Sequence, residues 1–132
     1  MILGIDLGAK TTGLAISGSS IATPYKTIIH KTLDQALTSI IRIIEVEKID
    51  TVVIGFVEGK IKTMFTDFAS SIKKERPDIE VVLWDETLTS GQARETMIKL
   101  ELPKFKRRQK EHEYAAAIIL QSYLDETRLS SS

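Results

Sequence analysis

Two short, uninterrupted apolar runs, Thr51-Val52-Val53-Ile54-Gly55 and Glu80-Val81-Val82-Leu83-Trp84, constrain this chain most. Neither alternates between apolar and polar residues, so each reads as a strand covered on both faces by helices, the pattern of parallel strands in a layered α/β sheet. The segments around them agree. Thr32-Leu33-Asp34-Gln35 fits a capping box, and Leu33, Ala36, Leu37, Ile40, Ile41 and Ile44 follow helical spacing. From about Lys62 to Glu75, Met64, Phe65, Phe68, Ala69 and Ile72 repeat that spacing, and Pro77 stops the helix. A strand, a helix and a strand in this order form a right-handed crossover.

The N-terminal part has another character. A first strand begins at Met1-Ile2-Leu3, a second covers Thr12 to Ser17, Gly18-Ser19-Ser20 makes a turn, and a third covers Ile21 to Ile29. Short turns imply an antiparallel meander, and Pro24, which cannot donate to a ladder, favours an edge position. After Trp84, Thr89 and Gln92 are placed as a second capping box for a helix reaching about Leu100. A basic loop over about 103–110 follows. A final helix starts near Glu111, runs through Ala115-Ala116-Ala117, Ile118, Ile119, Leu120, Tyr123 and Leu124, and fades into a polar tail at about 128–132. The expected fold class is α/β and ribonuclease H-like: a mixed five-stranded sheet, three antiparallel strands then two parallel ones, with helices on both faces.

Length and composition narrow the function classes. The 132 residues suit one domain with a real core. Formal net charge is zero, so affinity for nucleic acid has to come from local clustering. Absence of cysteine excludes disulfides and thiolate metal sites, and two histidines, His30 and His112, are too few for a histidine-rich zinc site. Neither a signal-peptide pattern nor a bilayer-length apolar run is visible, so the expected location is the cytoplasm, with no membrane partner.

The chemistry concentrates at strand ends. Asp6 interrupts an apolar strand in Gly4-Ile5-Asp6-Leu7-Gly8, and a buried charge needs a partner. Either the segment is a turn with Asp6 as a local backbone acceptor, or it is a site. The last parallel strand ends in the pair Asp85-Glu86. If the first strand lies beside the Thr51 strand, Asp6 and Glu86 converge outside the carboxyl ends of the strands, where open sheets bind ligands. Two carboxylates there call for a divalent cation between them, and oxygen ligands suit Mg²⁺ or Mn²⁺. The reaction class implied is phosphodiester hydrolysis.

Three blocks, Gly4-Ile5-Asp6-Leu7-Gly8-Ala9-Lys10, Asp85-Glu86-Thr87-Leu88-Thr89-Ser90, and Ala115 to Leu124, resemble in order the signature blocks of the YqgF (RuvX) family of pre-16S rRNA nucleases and Holliday junction resolvase-like proteins. The resemblance implies a ribonuclease H-like fold, Mg²⁺ or Mn²⁺, and endonucleolytic cleavage of structured RNA or branched DNA, including a ribosomal precursor. Asp6 and Glu86 would be its catalytic, metal-ligating acids. The family's third acid, at the start of the last helix, falls on His112, flanked by Glu111 and Glu113; imidazole there would lean the site towards Mn²⁺, and a shift of one position would bring a glutamate in instead. Lys10, Thr89, Lys104, Lys106, Arg107, Arg108 and Lys110 are the candidate nucleic-acid contacts. Thr87 and Thr11 stand where the family commonly has arginine, and the Gly55-Phe56-Val57-Glu58-Gly59 loop is shorter than the family's. These departures leave a second reading, a non-catalytic nucleic-acid or ribosome-assembly module on the same fold. A third, nucleotide binding of the actin-like kind, rests on the Asp6 to Gly13 loop, but those proteins use two such domains. The expected assembly is a monomer or weak homodimer.

Overall fold

The computed structural model describes residues 1–57, 62–86 and 111–131, with side chains as far as 127. The expected helix from Thr89 to about Leu100 and the basic loop at 103–110 lie outside the described residues. The elements are strands β1 (Ile2–Asp6), β2 (Thr11–Ser17) and β3 (Thr23–Ile29), helix α1 (Leu33–Val46), β4 (Thr51–Phe56), helix α2 (Lys62–Glu75), β5 (Glu80–Asp85) and helix α3 (Glu111–Ser131). They form one five-stranded sheet in the order β3-β2-β1-β4-β5. The β1–β2 and β2–β3 pairs are antiparallel, and the β1–β4 and β4–β5 pairs are parallel. The mixed sheet expected from the apolar runs is therefore present.

Pleating sorts the side chains onto two faces. Leu3, Ile5, Leu14, Val52 and Ile54 point to the face covered by α1 and α2, where they meet Ala36, Ile40, Ile44, Phe65, Phe68 and Ile72. The alternate residues Ala15 and Val53 meet Ala116, Ala117, Ile119, Leu120 and Leu124 of α3. At the head of α1, the Thr32 hydroxyl accepts from the Gln35 N–H at 3.2 Å. The Gln35 side chain reaches back to the Lys31 N–H at 2.8 Å, one residue earlier than a standard capping box.

Several boundaries differ from expectation; β2 starts one residue earlier, at Thr11, and β5 ends one later, at Asp85. β3 begins at Thr23 rather than Ile21, because the side chain of Gln121 takes over the preceding backbone: Ala22 N–H donates to its Oε1 at 2.9 Å, and its Nε2 donates to the Ser20 carbonyl at 3.0 Å. β4 keeps Phe56, which pairs with Asp85. Helix α3 continues to Ser131, through most of the segment expected to fade into a tail. Pro24 does lie on an edge strand, and the β2–β3 register slips between Leu14 and Ala15 there, leaving Tyr25 outside the ladder. The Tyr25 hydroxyl donates instead to Glu47 at 3.1 Å. Burial first, and then the Glu47 carboxylate, holds its phenol above the ordinary tyrosine range.

Candidate active site at the carboxyl ends of the parallel strands

Asp6 ends the central strand, paired with Gly13 of β2 on one side and Gly55 of β4 on the other. It is half-buried and, by the pleat, shares the face of Gly4, where a Cβ would come 2.8 Å from Leu120 Cβ. Asp6 thus faces α3. Both glycine neighbours admit something from that side. A Cβ on Gly13 would lie 1.9 Å from the His112 carbonyl oxygen, so the first turn of α3 rests directly on the β2 backbone. A Cβ on Gly55 would lie 2.5 Å from Ile119 Cδ1 and 3.1 Å from Glu86 Oε1.

That last contact brings the two expected acids together. Adjacent strands are about 4.8 Å apart, so a Glu86 carboxylate over Gly55 stands over the residue beside Asp6. Pleating explains why it is Glu86 and not Asp85. Leu83 packs on the α1/α2 side and Trp84 on the α3 side, so the alternation sends Asp85 away from α3. β5 is fastened to α3 just before this point: Trp84 Nε1 donates to Ser122 Oγ at 3.2 Å, and its ring meets Tyr123 edge-on with centroids 5.6 Å apart.

The candidates for a third position stand in the first turn of α3. His112 and Glu111 are exposed, whereas Glu113 is buried, 7% exposed, and its Oε2 accepts from the Thr27 hydroxyl of β3 at 3.2 Å. Negative side chains in this turn also suit the positive end of the helix dipole. Lys10 is exposed in the β1–β2 turn. Thr89, Lys104, Lys106, Arg107, Arg108 and Lys110 lie outside the described residues. The sequence marks Gly4, Gly8 and Gly13 as places where another backbone can come close, and at Gly13 the first turn of α3 does so; Gly55 as the position that admits Glu86 was missed, since only its alignment with Asp6 across the sheet reveals that role.

Donor chemistry at the Asp6–Glu86 pair fits a hard divalent cation. Both groups are carboxylates, and Mg²⁺ is commonly held by one or two carboxylates with water completing its shell. Among the described residues, no three His, Cys, Asp or Glu side chains form a protein cage for a metal.

Known proteins provide an independent comparison. The chain is 34% identical over 142 residues to a protein of Onion yellows phytoplasma named "Putative pre-16S rRNA nuclease", covering 98% of this chain and 92% of that one. It is 36% identical over 136 residues to a protein of the same name from Geobacillus kaustophilus, covering 96% and 98%. In three dimensions it is similar to the Thermus thermophilus RuvC structure solved with a Holliday junction substrate, with a TM-score of 0.68, 12% identity and coverage of 99% of this chain and 96% of that one. The Fowlpox virus resolvase bound to junction DNA gives a TM-score of 0.53 at 16% identity, covering 98% and 97%. These likenesses show the ribonuclease H-like fold of RuvC. With the family described as RuvX, Holliday junction resolvase, matching residues 1–126, the chain belongs to the RuvX family.

Proposed function

We propose that this protein is a metal-dependent endonuclease that hydrolyses phosphodiesters in structured nucleic acid, with pre-16S rRNA processing or Holliday junction resolution as its role. The observation that carries the reading is the meeting of Glu86 with the Asp6 strand pair over Gly55. Family membership supports it, through relatives named as pre-16S rRNA nucleases and structural neighbours solved with junction DNA.

Asp6 and Glu86 would hold Mg²⁺ or Mn²⁺, with His112, or Glu111 or Glu113 beside it, as the third ligand. A divalent ion bound there supplies Lewis acidity toward the phosphoryl oxygens and lowers the pKa of a bound water. The chain's own residues supply the rest. Asp6 ends β1 and Glu86 follows β5, on either side of Gly55 of β4, so little reorganisation would be required when a phosphate arrives. Lys10 neutralises the backbone beside the scissile bond. Thr89 and the cations Lys104, Lys106, Arg107, Arg108 and Lys110 grip phosphates further along, which makes binding strongly salt-dependent. The reading includes one domain over residues 1–132, acting in the cytoplasm as a monomer or weak homodimer. No helix among the described residues is long and apolar enough to cross a membrane.

The decisive experiment is cleavage of four-way junction DNA and precursor 16S rRNA fragments in Mg²⁺ or Mn²⁺ by wild type and Asp6→Asn. The expected loss in the variant is about 10³-fold, since several kcal/mol of transition-state stabilisation would be removed. Equal cleavage by both proteins would remove Asp6 from the chemistry. A second reading, a nucleic-acid or ribosome-assembly binding module, draws on His112 standing at the place of the family's third acid, on Thr87 and Thr11 standing where the family commonly has arginine, and on the short loop after β4. Tight, salt-sensitive binding without turnover in either metal would favour it.

A further inference from the structure

A buried polar pair lies behind the turn that carries Lys10. His30 is 5% exposed and Thr12 fully buried, and Thr12 Oγ1 is 2.8 Å from His30 Nε2. Thr12 sits beside Gly13, the pairing partner of Asp6, but the pleat points it to the other face, with Leu14. Its hydroxyl also approaches the Gly8 carbonyl at 3.5 Å, and the His30 backbone N–H donates to the Lys10 carbonyl at 2.9 Å. His30 thus meets the β2 side of the β1–β2 turn twice, at Lys10 and at Thr12, and reaches Gly8 only through the Thr12 hydroxyl.

One tautomer of the ring suits these contacts better than the other. His30 Nδ1 has no hydrogen-bond partner among the described residues. An orphaned N–H in the interior is rarer than an orphaned acceptor, so the proton belongs on Nε2. Nε2–H then donates to Thr12 Oγ1, which leaves the threonine proton free to point at the Gly8 carbonyl. A ring in a mainly apolar interior would be costly if it served only as filler; here its polar edge is turned to the turn. Gly8 is itself packed too tightly for a side chain, since a Cβ there would lie 2.3 Å from the Thr11 carbonyl oxygen.

We infer that His30 is a positioning residue: through its side-chain hydrogen bond to Thr12, added to the backbone bond any residue there would make to the Lys10 carbonyl, it holds the Asp6–Lys10 turn in the one shape that presents Lys10 to a nucleic-acid phosphate beside Asp6. The inference rests on the nuclease reading for its ligand, a phosphodiester backbone, and on the hydrogen bonds for its mechanism.

The test measures binding of a four-way DNA junction to the full chain without divalent metal, over a series of salt concentrations. Lys10→Ala is expected to weaken binding and to lower the slope of log affinity against log salt by about one, the signature of one lost phosphate contact. His30→Ala should reproduce that change, and the double variant should add nothing to it. His30→Gln, whose amide nitrogen can reach Thr12 as Nε2 does, should restore the slope. Additive effects, or an unchanged slope in His30→Ala, would overturn the inference. If wild type binds no junction, the nuclease reading is what fails; positioning is then decided by amide exchange at Gly8 to Lys10, with Ile40 reporting global opening. Faster exchange at the turn alone in His30→Ala, reversed in His30→Gln, supports the role, and no change rejects it.

Discussion

The two faces of the sheet are packed by different means. On the α1/α2 face, large side chains such as Ile5, Ile40, Phe68 and Ile72 fill the space between layers. On the α3 face, Gly4, Gly13, Ala15 and Gly55 let a helix down until backbone meets backbone. Side-chain packing can relax by small rotations, whereas a helix seated on a strand has no such freedom. The candidate site lies on the second kind of face, with Gly13 and Gly55 as the strand partners of Asp6.

Breaking the seat should have the largest effect. In Gly13→Ala the new methyl would coincide with the His112 carbonyl, and no rotamer relieves that. A loss of about 3 kcal/mol or more is expected, seen as a melting temperature lowered by about 10 °C or more, with cleavage abolished even below the transition. Ile40→Ala on the other face should cost a comparable amount, about 2–5 kcal/mol in a denaturant titration, yet leave kcat nearly unchanged at a temperature where the protein stays folded. Equal losses of kcat in the two variants would erase the distinction between the faces. Gly55→Ala sharpens it further. The groups it meets are the ends of Ile119 and Glu86, which can move, so the stability loss should be about 1 kcal/mol while kcat falls at least tenfold as Glu86 is displaced.

The smallest effect concerns the tyrosines, one on each face. Both Tyr25 and Tyr123 have phenols held above the ordinary value, mainly by burial and then by the carboxylates of Glu47 and Glu80 respectively. The folded state therefore keeps protons that the unfolded state releases. The stabilisation is complete below the unfolded value near 10 and is lost as pH rises through the folded one. Tyr25→Phe should flatten the alkaline fall in melting temperature, and a fall of undiminished steepness would assign it to other groups.

Much of this was legible in the chain because the signals are local. Apolar runs gave the parallel strands, Thr32 and Gln35 the head of α1, and Pro24 an edge. The family block singles out Glu86 from the Asp85-Glu86 pair, and the packing of Leu83 and Trp84 on opposite faces supplies the reason. What spacing along a chain cannot express is distance across a sheet. The seat of His112 on Gly13 joins residues from opposite ends of the sequence, as do Gln121 with Ala22, which delays β3, and Thr27 with Glu113. Glu113 looked equivalent to Glu111 in the sequence; only the helix's resting place shows that one is buried and the other exposed. His30 gave no signal beyond being one of two histidines, because its partners are fixed by the turn between two other strands.

The carbonyl of His112 on Gly13 also acts as an index mark for α3. Successive residues on a helix are rotated by about 100°, so a slip of one position would swing another part of the first turn onto Gly13 and carry Glu113 away from Thr27. The azimuth of each rung is therefore set before any side chain is chosen. Chemistry at the head of this helix can be retuned by exchanging the group on a given rung, as in His112→Asp, but not by sliding the rungs.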